Sequence, residues 1–194
     1  HKRVNVDVYK GDKKVEDSEV IEEGMTLKVS YKEVSKEFNI SLVKVYKEYA
    51  ATGMTAEAGS FQPNNNTEGN GNLALDNNLN TMWHTNWNGC QRSETWITID
   101  MKKEQNVAML KYTPRQGGGT NGNITAYEIY VSKDGQTWGE PVATGTWANN
   151  NVVKYARFDT VLGRYVKLVA TDSASQEASK IFASAAEIRL GFEE

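Results

Sequence analysis

Cysteine is almost absent from this chain of 194 residues, because Cys90 is the only one. An intrachain disulfide is therefore excluded, and with it the class of small scaffolds that several such bridges hold together. Secretion is not excluded, since many exported bacterial proteins lack cysteine pairs. The chain also lacks any run of about 18 apolar residues, so the sequence contains no candidate transmembrane helix.

An excess of charge of one sign is also missing, since the formal net charge is only -3. This balance argues against a nucleic-acid backbone as the main partner, because such binding needs clustered Lys and Arg. Hydrophobic residues make up 39% of the chain, which is typical of a globular protein. The chain begins at His1 without an initiator Met or a signal peptide, so we expect it to be part of a longer protein.

The common catalytic motifs are absent as well. The sequence contains no GxSxG, no HExxH and no CxxC, and its only histidines are His1 and His84. His84 and Cys90 lie six residues apart, and a Cys–His pair is conceivable there. A lone cysteine is more often unreactive, however. The sequence therefore gives no positive indication of catalysis, and we expect this part of the protein not to be an enzyme.

Composition divides the chain into two unlike segments. Of the first 50 residues 20 are charged, against 27 of the remaining 144, and all five tryptophans follow residue 80. We therefore predict a small β-rich module, or a truncated neighbouring domain, over residues 1–50 and a larger domain over residues 51–194. In the first segment the alternation of apolar and polar residues predicts strands in RVNVDVY, TLKVSY and NISLVKVY. We interpret this segment as a spacer with a charged, solvated surface.

The second segment is also rich in predicted strands, and no stretch of it shows a helical period. Turn signals such as KDGQ and WANNN separate the strands. Several strands joined by turns in about 140 residues predict an all-β fold, a β-sandwich or barrel of the jelly-roll kind. The predicted strands are TWITIDM, NVAMLKYT, AYEIYVS, VKYARFD, RYVKLVA and AAEIRL.

The polar and aromatic residues of the Gly- and Asn-rich loops are of the types that bind sugars. Planar Arg, Asn and imidazole groups match neighbouring hydroxyls, and the apolar face of a pyranose packs on an aromatic ring. In TMWHTNW we expect Trp83 to face the core, and we also assign Trp96 and Trp138 to the core. Trp147 stays unassigned.

Five motifs occur along the chain in the order LALDNNLNTMWHTNW, WITIDM, LKYTPRQGGGTNGNITAYEIYVSKDGQTWGEPVATGTW, RYVKLVA and FASAAEIRL. In this order they resemble the coagulation factor 5/8 type C (discoidin-like) family, and especially its bacterial branch, carbohydrate-binding module family 32. The resemblance covers about residues 54–192 and leaves residues 1–50 uncovered. It implies a non-catalytic jelly-roll β-sandwich with the galactose-binding-domain-like fold.

The resemblance implies binding of terminal galactose or N-acetylgalactosamine by residues in several loops. Arg115 would donate in a fork to adjacent hydroxyls, and His84 and Asn121 would complete the network around an axial 4-hydroxyl. Glu68 is the candidate acidic contact, and it could equally belong to a solvated loop. Phe182 could equally be a core residue, and Trp87 is a second candidate aromatic. The implied sugar-binding residues are Glu68, His84, Trp87, Arg115, Asn121 and Phe182.

The resemblance also implies a structural calcium ion remote from the sugar. Its ligands would all be oxygens, as a hard cation requires. Without the family, DNNLNT would be interpreted as a turn. The implied metal ligands are Leu73, Asp76, Asn78, Thr81, Ala186 and Glu187.

We therefore expect a sugar-binding module that targets a larger, secreted or cell-surface, bacterial glycan-active enzyme to glycans. The catalytic domain of that enzyme, in the same chain, and the glycans are the expected partners, and we expect neither nucleic acid binding nor membrane insertion. Two alternatives stay open. One is an N-acetylglucosamine-binding member of the same family, and the other is a discoidin-type domain for protein or lipid adhesion, which usually carries a terminal disulfide.

Overall fold

The computed structural model describes residues 4–63, 66–175 and 180–194 of the protein. The chain forms two compact units, of which the first ends at Val45 and the second runs from Tyr46 to Glu194. The strand Tyr46–Glu48 pairs within the main sheet of the second unit. The sequence places the boundary after residue 50. The second unit therefore begins a few residues earlier than predicted.

The first unit is a four-stranded antiparallel sheet in the order β2-β1-β3-β4. Its strands are β1 (Asn5–Lys10), β2 (Lys13–Lys14), β3 (Thr26–Tyr31) and β4 (Val34–Asn39). The strand predicted over NISLVKVY is wrong, because residues 40–45 form no strand. Lys32 has a φ of 55° in a two-residue turn that joins β3 to β4, so the chain reverses earlier than predicted.

The second unit contains ten strands and two single-turn 3₁₀ helices, Gly71–Ala74 and Arg92–Glu94. Most of its strands belong to one strongly curled sheet in the order β11-β10-β12-β9-β14-β5, and β6 also pairs with β9. The expected all-β jelly-roll architecture is confirmed. The strands are β5 (Tyr46–Glu48), β6 (Thr55–Ala58), β7 (Glu68–Gly69), β8 (Met82–His84), β9 (Trp96–Thr113), β10 (Ile124–Ser132), β11 (Ala143–Thr146), β12 (Lys154–Ser173), β13 (Ser184–Ala185) and β14 (Glu187–Glu193).

The two longest strands, β9 and β12, connect the two layers of the sandwich. Each corresponds to two strands predicted from the sequence, which the structure joins into one. The early part of β9 pairs with β6 and with the late part of β12, whereas its late part pairs with β14. The pairing of β9 with β12 shifts register on either side of Val161–Gly163, which lets both strands bend from one layer to the other.

The core lies between these layers and consists of aliphatic side chains that alternate along the strands with outward-facing residues. Trp83 has no exposed surface, so its predicted core position is confirmed. Trp147 packs between two tyrosines, with ring centroids 5.0 Å from Tyr112 and 3.9 Å from Tyr127. The large buried aliphatic residues include Ile97, Ile99, Leu110, Ile124, Ile129, Leu168, Ile188 and Leu190.

The core assignment of Trp96 and Trp138 is wrong, because both are only half-buried and line a surface cleft. Trp96 alternates with Ile97 and Ile99, which are buried. The period of two therefore places its indole on the outer face of the sheet.

A small second sheet, in the order β13-β8-β7, positions the candidate site. Strand β8 pairs antiparallel to β13, with His84 opposite Ser184, and parallel to β7, with Glu68 opposite Met82. This pairing brings three segments distant in sequence to one edge of the sandwich. None of the helices in the described part of the chain is long and apolar enough to cross a membrane.

Candidate functional site

One open surface pocket, with a volume of about 320 Å³, brings together the six residues that the resemblance implies for sugar binding. They come from different elements: from β7, from the end of β8 and the loop after it, from the β9–β10 loop and from the residues before β13. The pocket therefore requires the folded sheet. Its lining residues are Glu68, His84, Trp87, Arg115, Asn121 and Phe182.

His84 forms the inner wall of this pocket, with only 1% of its surface exposed. Its Nδ1 lies 2.7 Å from the carbonyl oxygen of Thr85. A carbonyl only accepts hydrogen bonds, so Nδ1 carries the proton and Nε2 of the neutral ring is an acceptor. Burial lowers the pKa of His84, as does Arg115 to a smaller extent, whereas the Thr85 carbonyl and Glu68 raise it. The neutral ring therefore offers Nε2 to a hydroxyl donor.

Glu68 holds two of the other residues in place through its two carboxylate oxygens. Arg115 Nη2 donates to Oε1 over 3.1 Å, and Trp87 Nε1 donates to Oε2 over 2.8 Å. The side chains of Arg115 and Glu68 are 20% and 14% exposed, so this charged pair is partly shielded from water. The pocket is thus arranged before any ligand binds.

Arg115 keeps unused donor capacity although it is well anchored. Its Nη1 donates to the carbonyl oxygen of Asn121 over 3.2 Å, which ties the two ends of the β9–β10 loop together. Its Nε is buried and has no hydrogen-bond partner among the described residues. Each Nη carries two N–H groups, so beyond its hydrogen bonds to Glu68 and Asn121 the guanidinium can still donate to a ligand hydroxyl.

Phe182 and Trp87 are the aromatic residues of the pocket, and Phe182 is buried whereas Trp87 is exposed. Phe182 is 3% exposed and its ring centroid lies 5.6 Å from that of His84, so it packs against the core while bordering the pocket. Trp87 is 46% exposed beside the pocket. An exposed indole and a buried phenyl ring at one polar pocket suit the apolar face of a sugar ring.

The sequence did not indicate the close approach of Gly122 and Ser184 to His84. A Cβ atom on Gly122 would lie 2.9 Å from Ser184 Oγ and 3.3 Å from His84 Nε2. Gly122 has a φ of 83°, and it hydrogen-bonds Ala174 and Ser184 through its backbone. The GTNGN segment alone predicts a turn with positive φ, but not what that turn contacts.

Cys90 does not form a pair with His84. Its Sγ donates to the carbonyl oxygen of Ile181 over 3.4 Å, while His84 Nδ1 is taken up by Thr85. Burial raises the pKa of the Cys90 thiol, which opposes formation of the nucleophilic thiolate. The geometry gives no support to cysteine-based catalysis.

The implied calcium ligands lie around the DNNLNT turn and the start of β14. Thr81 Oγ1 donates to Asp76 Oδ2 over 2.7 Å and lies 2.9 Å from the Asn78 carbonyl oxygen. Leu73 lies in the first 3₁₀ helix and Ala186 precedes Glu187. The described residues contain no cluster of three or more His, Cys, Asp or Glu side chains, so a cation here would depend on two carboxylates and backbone or hydroxyl oxygens.

Glu187 is the residue whose environment best fits a nearby cation. Its carboxylate is buried, and burial and the nearby Asp76 raise its pKa, whereas Arg189 and the Asn77 N–H lower it. Arg189 forms an ion pair with it, yet neither carboxylate oxygen has a well-formed hydrogen bond within the described residues. Two neighbouring carboxylates with oxygen donors around them are the donor set of a hard cation.

The comparisons with known proteins decide the family. The sequence pattern of the F5/8 type C domain matches residues 55–188, which is more than half of the chain. This chain belongs to the F5/8 type C domain family. The resemblance carried by the WHT, PRQ and AAEI motifs is thereby confirmed.

Solved structures similar to this F5/8 type C domain are family 32 carbohydrate-binding modules. CpGH89CBM32-5 from Clostridium perfringens, in complex with GalNAc-β-1,3-galactose, is 32% identical with a TM-score of 0.65, and covers 75% of this chain and 99% of that one. The family 32 module of Clostridium perfringens NanJ, in complex with galactose, is 32% identical with a TM-score of 0.61, and covers 76% and 99%.

The curated relatives of this F5/8 type C domain are much longer proteins. Galactose oxidase from Gibberella zeae is 46% identical over 106 residues, which are 54% of this chain and 16% of the relative. A sialidase from Micromonospora viridifaciens is 31% identical over 125 residues, which are 63% of this chain and 19% of the relative. The chain thus spans less than a fifth of either relative.

Proposed function

We propose that this F5/8 type C domain is a non-catalytic carbohydrate-binding module for glycans that end in galactose or N-acetylgalactosamine. The observation that carries the proposal is the convergence of Glu68, His84, Trp87, Arg115, Asn121 and Phe182 on one pocket. Two similar solved modules, in complex with galactose and with GalNAc-β-1,3-galactose, support the choice of sugar.

The polar groups of the pocket favour an axial 4-hydroxyl over an equatorial one. His84 Nε2 would accept the proton of that hydroxyl, and the Arg115 guanidinium would donate to its oxygen. An equatorial 4-hydroxyl would leave these shielded groups without partners, at a cost of about 1–3 kcal/mol for each buried group. Galactose-type sugars are therefore preferred over their glucose-type epimers.

Replacement of Arg115 by alanine tests the proposal. We expect Arg115→Ala to weaken binding of N-acetylgalactosamine by at least about tenfold, since a charge-assisted hydrogen bond contributes about 1.5–3 kcal/mol. Isothermal titration calorimetry measures the affinity. Arg157→Ala is the matched control, because that guanidinium lies over the rings of Tyr46 and Tyr155 and not in the pocket. Unchanged affinity in Arg115→Ala would contradict the proposal.

A structural calcium ion is the second part of the proposal. Asp76, Thr81 and Glu187, with the carbonyl oxygens of Leu73, Asn78 and Ala186, would hold it, and it would neutralise the two carboxylates. Calcium should therefore raise the midpoint of thermal unfolding, because a ligand that binds only the folded state stabilises that state. At a calcium concentration one hundred times Kd, the free energy of unfolding should rise by about 2.7 kcal/mol.

Differential scanning calorimetry with calcium and with a chelator measures this shift. Glu187→Gln should keep the side-chain volume and lose most of the response to calcium. Asp159→Asn, a surface substitution outside the implied ligand set, is the control and should respond like the parent protein. Equal midpoints of the parent protein with calcium and with chelator would remove calcium from the account.

The module would serve a larger, secreted or cell-surface, bacterial glycan-active enzyme. The larger parent enzyme is supported by two curated relatives named galactose oxidase and sialidase, which extend far beyond the matched region, and the bacterial source by the similar modules of Clostridium perfringens. Weak binding at one shallow pocket would hold the enzyme near its glycans and would gain from multivalency. In a full-length protein, Arg115→Ala should slow turnover of surface-bound glycans while turnover of a small soluble substrate stays unchanged.

A further inference from the structure

A second cleft, with a volume of about 420 Å³, lies on the outer face of the sheet and shares no lining residue with the sugar pocket. Strands β6, β9 and β12 and the loop after β10 form it. The half-buried indoles of Trp96 and Trp138 border it, together with Lys167 and Asp134. Its volume falls within the range of roughly 300–1,000 Å³ that is typical of small-ligand sites.

Two carboxylates of this cleft, those of Asp100 and Asp134, are engaged in contacts that hold its walls in place. Asp100 accepts two hydrogen bonds from Arg164, over 2.8 and 3.0 Å, and the ammonium of Lys102 lies 3.0 Å away. Asp134 Oδ1 accepts from the backbone N–H groups of Gln136 and Thr137, each over 2.8 Å. Both carboxylates therefore serve the fold, and the cleft offers a rigid surface without a strong net field.

Lys167 differs from the other charged groups of the cleft. Its Nζ lies 3.9 Å from the centroid of the Trp138 ring and 5.3 Å from that of Trp96. Across the described ranges, it has neither an ion pair nor a hydrogen-bond acceptor. A cation–π contact uses the ring faces and leaves N–H donors open. Lys167 is half-buried, and this burial lowers the pKa of its ammonium.

We propose that the cleft between Trp96, Trp138 and Lys167 is a second carbohydrate site that takes a neutral oligosaccharide. The exposed parts of the two half-buried indoles that Lys167 leaves uncovered would contact the apolar faces of sugar residues, and the ammonium would donate to hydroxyl or ring oxygens. The carboxylate of Glu57 on the cleft wall would accept from hydroxyls, and its negative charge would repel an acidic sugar. Two sites on one module would allow a glycan surface to be held at two points.

The indole N–H signals of the five tryptophans allow the two sites to be observed separately by ¹H–¹⁵N NMR. Trp87 reports on the first pocket, whereas Trp96 and Trp138 report on the cleft. Single Trp→Phe substitutions assign the signals. Protein carrying Arg115→Ala is titrated with lactose, N-acetyllactosamine, chitotriose and cellotriose, and with glucuronic acid as the acidic probe.

We expect at least one of the neutral oligosaccharides to shift the signals of Trp96 and Trp138 in the Arg115→Ala protein. Adding Lys167→Met, which keeps an apolar stem and removes the ammonium, should weaken that response by about tenfold. The signals of buried Trp83 and of Trp147 should stay in place and show that the fold is kept. Trp138→Phe is the second variant if Lys167→Met is unstable.

Two results would overturn the proposal. In the first, the signal of Trp87 in the parent protein shifts with sugar, while the signals of Trp96 and Trp138 shift with none of the neutral probes. The contact of Lys167 with the two indoles would then serve only the fold. In the second, glucuronic acid alone shifts the cleft signals, and the ligand class is then wrong. Neither result affects the first pocket, which Trp87 and the Arg115 titration test independently.

Discussion

At the scale of single residues, His84 is both a buried residue and part of the candidate sugar pocket. The sequence suggests that its imidazole faces the sugar while Trp83 faces the core, but both side chains are buried, and His84 reaches the pocket from within. Replacement of His84 by alanine should therefore reduce stability as well as sugar binding. Its removal should cost about 1–3 kcal/mol, because the Thr85 carbonyl loses its partner and a cavity is left.

The lowered pKa of His84 predicts how sugar binding depends on pH. Protonation turns Nε2 from an acceptor into a donor and places a second positive charge near Arg115. Affinity for N-acetylgalactosamine should therefore be constant at neutral pH and fall as the solution becomes acidic enough to protonate the folded-state ring. Titration calorimetry at a series of pH values measures this, and a higher affinity in acid would contradict the assigned tautomer.

The same shift has a consequence for stability. Because the folded-state pKa lies below that of the unfolded chain, the unfolded state binds the proton more readily. The stability that the neutral His84 ring contributes is therefore fully present above the ordinary histidine pKa of about 6.5. It is lost as the pH falls from there towards the folded-state pKa. His84→Asn, which does not titrate in this range, should lack that part of the pH dependence.

At the scale of elements, the β9–β10 loop provides a test of the close approach to His84. Gly122→Ala should weaken sugar binding and lower the free energy of unfolding by about 1–3 kcal/mol. The added Cβ would meet Ser184 and His84, and the positive φ would strain an alanine.

Gly118→Ala is the matched control for this prediction. Its φ of 93° imposes similar strain, but a Cβ there would meet no atom within 4 Å. The difference between the two variants in calorimetric affinity therefore isolates the contact with His84. If Gly118→Ala reduced affinity as much as Gly122→Ala, backbone strain in the loop would explain both and the close approach would have no role.

The strands of the second unit show what the sequence can predict. Alternation in TWITIDM correctly indicates a strand with Ile97 and Ile99 on the core side. It does not show that β9 continues through KKEQ into NVAMLKYT, because the bend depends on register shifts against β12, a partner distant in sequence. The error on Trp96 has a local origin, since a position near a strand end predicts burial less well than the alternation that places Ile97 and Ile99 on the core side and Trp96 on the outer face.

At the scale of the whole molecule, the two units bury very different amounts of apolar surface. Among residues 4–45 of the first unit, which the structure describes, only Val15 and Met25 are buried hydrophobic residues, as the charged composition suggests. The main core of the protein is made of residues of the second unit alone. The contrast agrees with the interpretation of residues 1–50 as a small, largely solvated module, and the residues of the candidate sugar pocket all belong to the second unit.

The candidate site could be predicted only with the help of family resemblance. Residue chemistry alone suggests that Arg115, His84 and loop amides bind sugar, but Glu68, His84 and Phe182 are brought together by the β13-β8-β7 pairing, which no local pattern indicates. The hydrogen bond from Trp87 to Glu68 and the approach of Gly122 to His84 also arise from tertiary packing. They are visible only in the folded structure.

The most direct test of the central claim is the calorimetric comparison of galactose with glucose, which differ only at the 4-hydroxyl. The account predicts measurable binding of galactose and at least about tenfold weaker binding of glucose, because an equatorial hydroxyl would leave His84 Nε2 without a donor and the remaining N–H groups of Arg115 without an acceptor. Equal affinity for the two epimers, or binding of glucose alone, would contradict it.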